Sequence, residues 1–284
     1  MQNVSVPQDV RHQQQINAGE ISFVYYREKD SAGKNRVVFS HYAISFVLNG
    51  QKELYRSAGN TVIGSHQGIL IPGGHSIIAE RTLNDDLYSS LIAFFPKKLV
   101  TQFLAKKAIA AHHSNQSKAA SPYILFSRTP YLNEYLRSLT ALITSGQQLS
   151  CAMALHKLEE LLLAVYELFP EQFVSLFDEQ QPVQLSLKNL IEENLFNNLT
   201  IDELAFLANR SLSSFKRDFE QLYQVSPQRY IRERKLEIAC AELLKGKAAS
   251  ELYHVYGYDN PSNFNTAFKK KYGLTPLAYR NSQI

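Results

Sequence analysis

The sequence predicts an α+β chain with its strands first and its helices last, on three observations. Short alternating or aromatic runs broken by Gly, Asn and Pro fill the first hundred residues, the hydrophobic period turns helical after Pro96, and a helical unit recurs after residue 185 at a spacing of 49. With 284 residues and 45% hydrophobic content, the chain can bury a sizeable core in about two domains.

The strand runs are ISFVYY (21–26), HYAISFVL (41–48), QKELYR (51–56), GILI (68–71), SIIAE (76–80) and LYSSLIAFF (87–95). All are short, β-branched or aromatic, which predicts a β-sandwich or barrel. Asn49-Gly50 lies between two of them, and both residues tolerate the positive φ of a type I′ turn, so a hairpin is expected there. Tyr42, Ile44, Phe46 and Leu48, with Ile69 and Ile71, form the expected inward face. That face reads as ordinary core or as the lining of an apolar effector pocket.

Three helices follow: KKLVTQFLAKKAI, PYLNEYLRSLTALITSG and CAMALHKLEELLLAVYELF, with the polar loop AAHHSNQSKAASP between the first two. In the third, Leu155, Leu158, Leu162 and Val165 repeat at 3-4-3 spacing, and Leu161 and Leu168 widen the stripe. So broad an apolar face must be covered, either by the β-domain or by a second copy in a homodimer. Residues 1–170 are therefore read as a regulatory and dimerisation domain, 171–185 as a linker and 186–284 as a second domain.

Charge and cysteine usage narrow the class. The net charge is +4, of which residues 186–284 contribute +3, from 14 Lys and Arg against 11 Asp and Glu. From Phe264 onward there are Lys269, Lys270, Lys271 and Arg280 and no acid. A local basic patch is the footprint of a nucleic-acid surface. Cys151 and Cys240 lie far apart in helical patterns and are expected to be buried free thiols of a reducing compartment. No apolar run is long enough to span a bilayer, so no membrane role is expected and a cytoplasmic location is. His41, His66 and His75 are mutually isolated, and the adjacent His112-His113 cannot easily share a buried metal, so neither a metal nor a cofactor is expected.

The repeat is the most informative feature. Adding 49 takes Phe215 to Phe264, Phe219 to Phe268, Tyr223 to Tyr272, Val225 to Leu274, Ser226-Pro227 to Thr275-Pro276 and Tyr230 to Tyr279. Upstream the offset becomes 48, pairing Leu204 with Leu252 and Asn209 with Gly257. In the first copy Thr200 and Glu203 form a capping box, Asn209 accepts a left-handed turn and Ser211 caps the next helix. In the second, Gly257 supplies the turn, Asn260 the cap, Pro261 the first helical position and Gly273 the stop. Each copy reads as helix, tight turn, helix. A helix from about Pro227 to Leu244 joins them.

Once the aromatics are assigned to the core, Ser213, Ser214, Lys216, Arg217 and Glu220 face outward in the first copy, and Ser262, Asn263, Asn265 and Thr266 in the second. Short amides and hydroxyls suit base edges; Lys269 and Lys270 suit phosphates. A rigid joining helix would set both edges on one side of a duplex, in major-groove segments about 34 Å apart.

At these residues the sequence resembles the AraC family of bacterial transcription regulators. Gly257-Tyr258, Ser262, Phe264, Phe268-Lys269, Gly273, Thr275-Pro276 and Tyr279-Arg280 follow that family's signature, and the match covers about residues 186–284. The resemblance implies two helix-turn-helix units, base contacts through Ser213, Lys216 and Arg217 and through Pro261, Ser262, Asn265 and Thr266, and a partnership with promoter DNA and RNA polymerase. Three positions depart from the pattern: Gln224 stands where a glycine ends the first reading helix, and Ala249 and Tyr253 replace a larger apolar residue and an alanine before the second turn. The phenol of Tyr253 is expected to push apart a tight helix crossing. YAISFVLNGQKELY and GILIPGGHSIIAE resemble the family's cupin-type β-barrel, and more distantly the type III secretion subgroup, in which a protein replaces the sugar effector. The reading is thus a DNA-binding regulator, expected to be an activator because most relatives recruit polymerase, controlled by a small molecule or protein partner. A cupin-like metal enzyme and a sensing module with degenerate DNA binding are the alternatives.

Overall fold

A computed structural model describes residues 3–29, 33–82, 87–107, 122–177 and 186–283. The chain divides into two compact units, Met1–Leu185 and Ser186–Ile284. His112-His113, almost all of the polar loop around them and residues 178–185 of the expected linker lie outside the described residues.

Unit 1 contains two sheets rather than one closed barrel. The five-stranded sheet has the order β1 (Asn3–Val6), β4 (Lys34–Phe39), β9 (Gly74–Arg81), β6 (Gln51–Arg56), β7 (Gly59–Gly64). The six-stranded sheet has the order β11 (Ile124–Ser127), β8 (Gln67–Ile71), β5 (Tyr42–Asn49), β10 (Tyr88–Phe95), β3 (Ile21–Glu28), β2 (Gln14–Ala18). The first sheet packs on one face of the second through Val37, Phe39, Leu54 and Ile78 against Val24, Val47, Ile69, Ile71, Ile92 and Phe94. The other face carries α1 (Lys97–Lys106), α2 (Pro130–Thr144), α3 (Cys151–Leu168) and α4 (Pro170–Phe177). The six-stranded sheet is therefore a middle layer, which is why all eight residues of β10 are buried, Ser89 and Ser90 included.

The expected hairpin at Asn49-Gly50 is instead the crossing between sheets. β5 pairs with β8 and β10, whereas β6 pairs with β7 and β9. Gly50 has φ +88°, but Asn49 does not share a positive φ, so the pair is not a type I′ turn. A Cβ on Gly50 would lie 2.4 Å from the Arg81 carbonyl oxygen, so the crossing needs glycine for space as well as for φ.

Two further expectations are corrected by the layers. The six candidate effector-pocket residues do not share a face: Tyr42, Ile44, Phe46 and Leu48 point toward the helices, while Ile69 and Ile71 point between the sheets. Ile44, Phe46, Ile69 and Ile71 are fully buried in packed core. The α3 stripe is likewise covered within its own unit: Leu158, Leu162 and Val165 are buried, and Leu155 is half-buried in the same cluster. Leu168, at the end of the stripe, is exposed. α4 occupies part of the expected linker, with Phe173 and Phe177 buried and the Phe177 ring 4.8 Å from that of Tyr42. Cys240 is buried as expected, but Cys151 is exposed at the first turn of α3.

β6 inverts the usual pattern. Its inward residues are Lys52, Leu54 and Arg56, all buried. Lys52 Nζ donates to Ser45 at 3.3 Å and pairs with Glu80 at 3.3 Å. Arg56 donates to the Pro72 and Gly73 carbonyls at 2.8 and 2.9 Å, and burial lowers its pKa to about 10.

Unit 2 is α-helical: α5 (Leu187–Glu193), α6 (Ile201–Leu207), α7 (Leu212–Tyr223), α8 (Pro227–Leu244), α9 (Ala249–Leu252), α10 (Pro261–Tyr272) and α11 (Pro276–Asn281). The 49-residue repeat extends to α5, where Leu187, Leu190 and Ile191 are buried as are their counterparts Leu236, Ala239 and Cys240 in α8. α8 thus belongs to both copies. Its first turns complete the first unit, and its last turns begin the second.

Candidate nucleic-acid interface

The two reading helices are held by the same aromatic geometry. Ring centroids of Phe219 and Tyr223 lie 4.6 Å apart, and those of Phe268 and Tyr272 lie 4.5 Å apart. Phe219–Tyr230 at 5.6 Å matches Phe268–Tyr279 at 5.7 Å, and Phe215–Phe219 at 6.3 Å matches Phe264–Phe268 at 5.9 Å. Phe215, Phe219, Phe264 and Phe268 are all fully buried. At 3.6 residues per turn, fixing i and i+4 as the inner stripe leaves the opposite stripe outside.

The start of each helix is set by a cap. Thr200 and Glu203 form the full capping box of α6, the Thr200 amide donating to Glu203 at 2.6 Å and the Glu203 amide to Thr200 at 3.2 Å. Ser211 accepts from the Ser214 amide at 3.1 Å and starts α7; Asn260 accepts from the Asn263 amide at 2.9 Å and starts α10 at Pro261. The tight turns use Asn209 at φ +53° and Gly257 at φ +80°. The reading helices end at Gln224, φ +56°, and Gly273, φ +79°, which are counterparts at 49 residues.

Each expected contact residue can be placed on this frame. Ser213 and Arg217 on α7, and Pro261, Ser262, Asn263, Thr266, Lys269 and Lys270 on α10, are exposed; Ser214, Lys216 and Asn265 are half-buried. Ser214 is also tied back to the Ser211 hydroxyl at 2.9 Å, leaving Ser213 the freer hydroxyl. Arg217 donates from Nε and one terminal nitrogen to Asp218 at 3.1 and 3.0 Å. Asp218 also pairs with Arg210. Arg210, Asp218 and Arg217 therefore form a chain at the surface of the first unit, of which the sequence reading found only Arg217.

The triple lysine divides by role. Lys269 and Lys270 are exposed, but Lys271 donates to the Glu233 carbonyl at 2.7 Å and to the Glu237 carboxylate at 3.0 Å, locking α10 onto α8. Burial raises the Glu237 pKa, but the bonds from Lys271 and Arg234 outweigh it and hold the carboxyl below its ordinary 4.5. Arg234 donates from Nε to both Glu192 oxygens at 3.1 Å, tying α8 to α5. Tyr230 also donates to Glu192. The joining helix is thus bonded to the first unit through Glu192 and to the second through Lys271.

The second unit departs from the first before its turn. α6 has seven residues and α9 only four. Ala248 stands where Thr200 caps α6, so Glu251 accepts from the Ala248 amide at 3.1 Å with no side chain to complete the box. Tyr253 is half-buried in the second unit's core, its ring 5.4 Å from that of His254. The helix gives way to turns after Leu252, next to this phenol.

Among the described residues no group of three His, Cys, Asp or Glu could hold a metal ion, and no helix is long and apolar enough to cross a membrane.

Two protein families match the chain. Residues 42–176 match the ExsA N-terminal regulatory domain, and residues 204–282 match a helix-turn-helix domain. The thermoregulatory protein LcrF of Yersinia pestis is 24% identical over 193 residues, covering 66% of this chain and 71% of its own. The virulence regulon transcriptional activator VirF of Yersinia enterocolitica is 26% identical, covering 57% and 61%. The transposon Tn10 TetD protein of Escherichia coli is 31% identical over 112 residues, covering 38% of this chain and 81% of its own. Among solved structures, an apo ToxT variant from Vibrio cholerae aligns over 93% of this chain and 98% of its own, at 15% identity and a TM-score of 0.43. With its duplicated helix-turn-helix, its matched amino-terminal regulatory domain and these relatives, the chain belongs to the AraC family of DNA-binding transcription regulators.

Proposed function

We propose that the protein is a transcription activator whose two reading helices enter successive major-groove segments of promoter DNA. Ser213, Lys216 and Arg217 on α7, and Pro261, Ser262, Asn265 and Thr266 on α10, contact base edges; Asn263, Lys269, Lys270 and the Ser214 end of α7 meet the backbone. The observation that carries this reading is the matched aromatic core, which gives both helices one orientation on their own units. Activation follows from the relatives, one of which is named a transcriptional activator, and it implies RNA polymerase as a partner.

Control is assigned to unit 1. The candidate pocket residues are packed core on two faces, which favours a protein partner at the surface over a small molecule enclosed by those six side chains.

The test is binding to duplexes selected from a random pool, titrated with salt. Affinity falls linearly in log–log coordinates as counterions compete. Arg217→Ala costs about 1–3 kcal/mol on the selected duplex and relaxes base preference, whereas Lys269→Ala weakens selected and scrambled duplexes alike. Equal losses on both duplexes for both variants would refute this division of labour.

A further inference from the structure

A groove of about 620 Å³ opens between the first half of α8 and the last half of α10. Its floor is Leu236 and Ala267, and its rim carries Arg229 and Arg232 from α8 and Lys270 and Lys271 from α10, around the single carboxylate Glu233. Not all of this charge is committed. Lys271 is spent on Glu237 and the Glu233 carbonyl, and Arg229 neutralises Glu233 at 2.6 Å. Arg232 and Lys270 are exposed, and no ion pair holds either among the described residues.

The position of the groove selects its ligand. On α10, Ala267, Lys270 and Lys271 lie roughly a third of a turn from the Ser262–Thr266 edge, on the flank that packs toward the start of α8. That start follows three residues after Gln224, the cap of α7. The groove therefore lies beside the helix that joins the two reading helices, with the second reading helix as its other wall. A duplex read in successive major-groove segments must pass the intervening backbone, with its close-set phosphates, across this point. Cations above an apolar floor attract such charge more strongly than cations surrounded by water.

Resting on the DNA-binding reading, we propose that Arg232 and Lys270, with Arg229 in support, grip phosphates of the backbone between the two reading sites. α8 is then a third contact, which clamps the centre of the duplex without reading its sequence.

The experiment uses the full chain and a duplex selected from a random pool with the wild-type protein. Arg232→Gln/Lys270→Gln should bind about tenfold more weakly near 0.1 M salt, with unchanged base preference and a log–log salt slope shallower by about 2. Arg232→Gln alone should flatten it by about 1, and this variant serves if the double one fails a thermal-unfolding check. Glu233→Gln should tighten binding, because its carboxylate no longer opposes phosphate. Methylphosphonates at the central linkages should abolish the difference between wild type and double variant; the same groups at outer linkages should preserve it. An unchanged slope, or a difference that survives central neutralisation, overturns the proposal. Lost activation of a reporter with unaltered DNA binding would overturn it too, by assigning the groove to an acidic peptide. If wild type selects no duplex, the DNA-binding reading itself fails, an outcome distinct from all of these.

Discussion

The two helix-turn-helix units share a core and differ at the leading helix and at the residue that stops the reading helix. Three ring–ring distances agree between them to within half an ångström, yet the first unit has a complete capping box and a seven-residue leading helix, and the second has half a box and four residues. At the far ends the advantage reverses. The second reading helix stops on Gly273, which adopts a left-handed φ without strain, and the first stops on Gln224, which does not. Buried aromatics fix where a reading helix lies, while caps and turns fix how firmly its neighbours stay folded.

Substitution in the matched cores gives the largest effect. Phe219→Ala and Phe268→Ala each remove a fully buried ring and should cost about 3–5 kcal/mol in urea unfolding. Because their neighbours match ring for ring, the two losses should agree within about 1 kcal/mol. A larger gap would break the equivalence of the units. Next, Ala248→Thr supplies the missing half of the second capping box and should stabilise that unit by about 0.5–2 kcal/mol, read as slower amide exchange in α9. No change in exchange would mean that Tyr253, not the missing cap, ends that helix. The smallest effect is Gln224→Gly. Relief of the left-handed strain should raise stability by about 0.5–1 kcal/mol, against the loss of one side-chain bond to the Gln221 carbonyl. Destabilisation by this substitution would show that the Gln224 side chain matters more than its φ.

The helical half was far more legible in the sequence than the sheet half. Thr200, Asn209, Ser211, Gly257, Asn260 and Gly273 act where they stand, because caps and left-handed turns are local chemistry that neighbouring residues decide. Sheet membership is not local. Asn49-Gly50 carries the residues of a tight hairpin, but the partners of β5 and β6 lie elsewhere in the chain, and pairing with β10 and β9 overrode the turn signal. β1, β2, β4, β7 and β11 went unread for the same reason: segments such as KNRVVF and GNTVIG are polar or glycine-rich, and only their partners make them strands. On the candidate interface, the helical period gave the exposure of Ser213, Arg217, Ser262 and Thr266, while Ser214, Lys216 and Asn265 are half-buried. What the period could not reveal was the pairing among them, such as Asp218 between two arginines or Lys271 turned back onto α8.

α8 is an unbroken helix of 18 residues, roughly 27 Å long, fastened to α5 through Tyr230 and Arg234 and to α10 through Glu233 and Glu237. Such a strut has one length. Inserting a single base pair between the two sites on a promoter moves the second site about 3.4 Å along and roughly a tenth of a revolution around the duplex axis. A helix fastened to both units cannot follow that displacement, so under the proposed reading the protein itself dictates the ruler by which its promoters must be spaced.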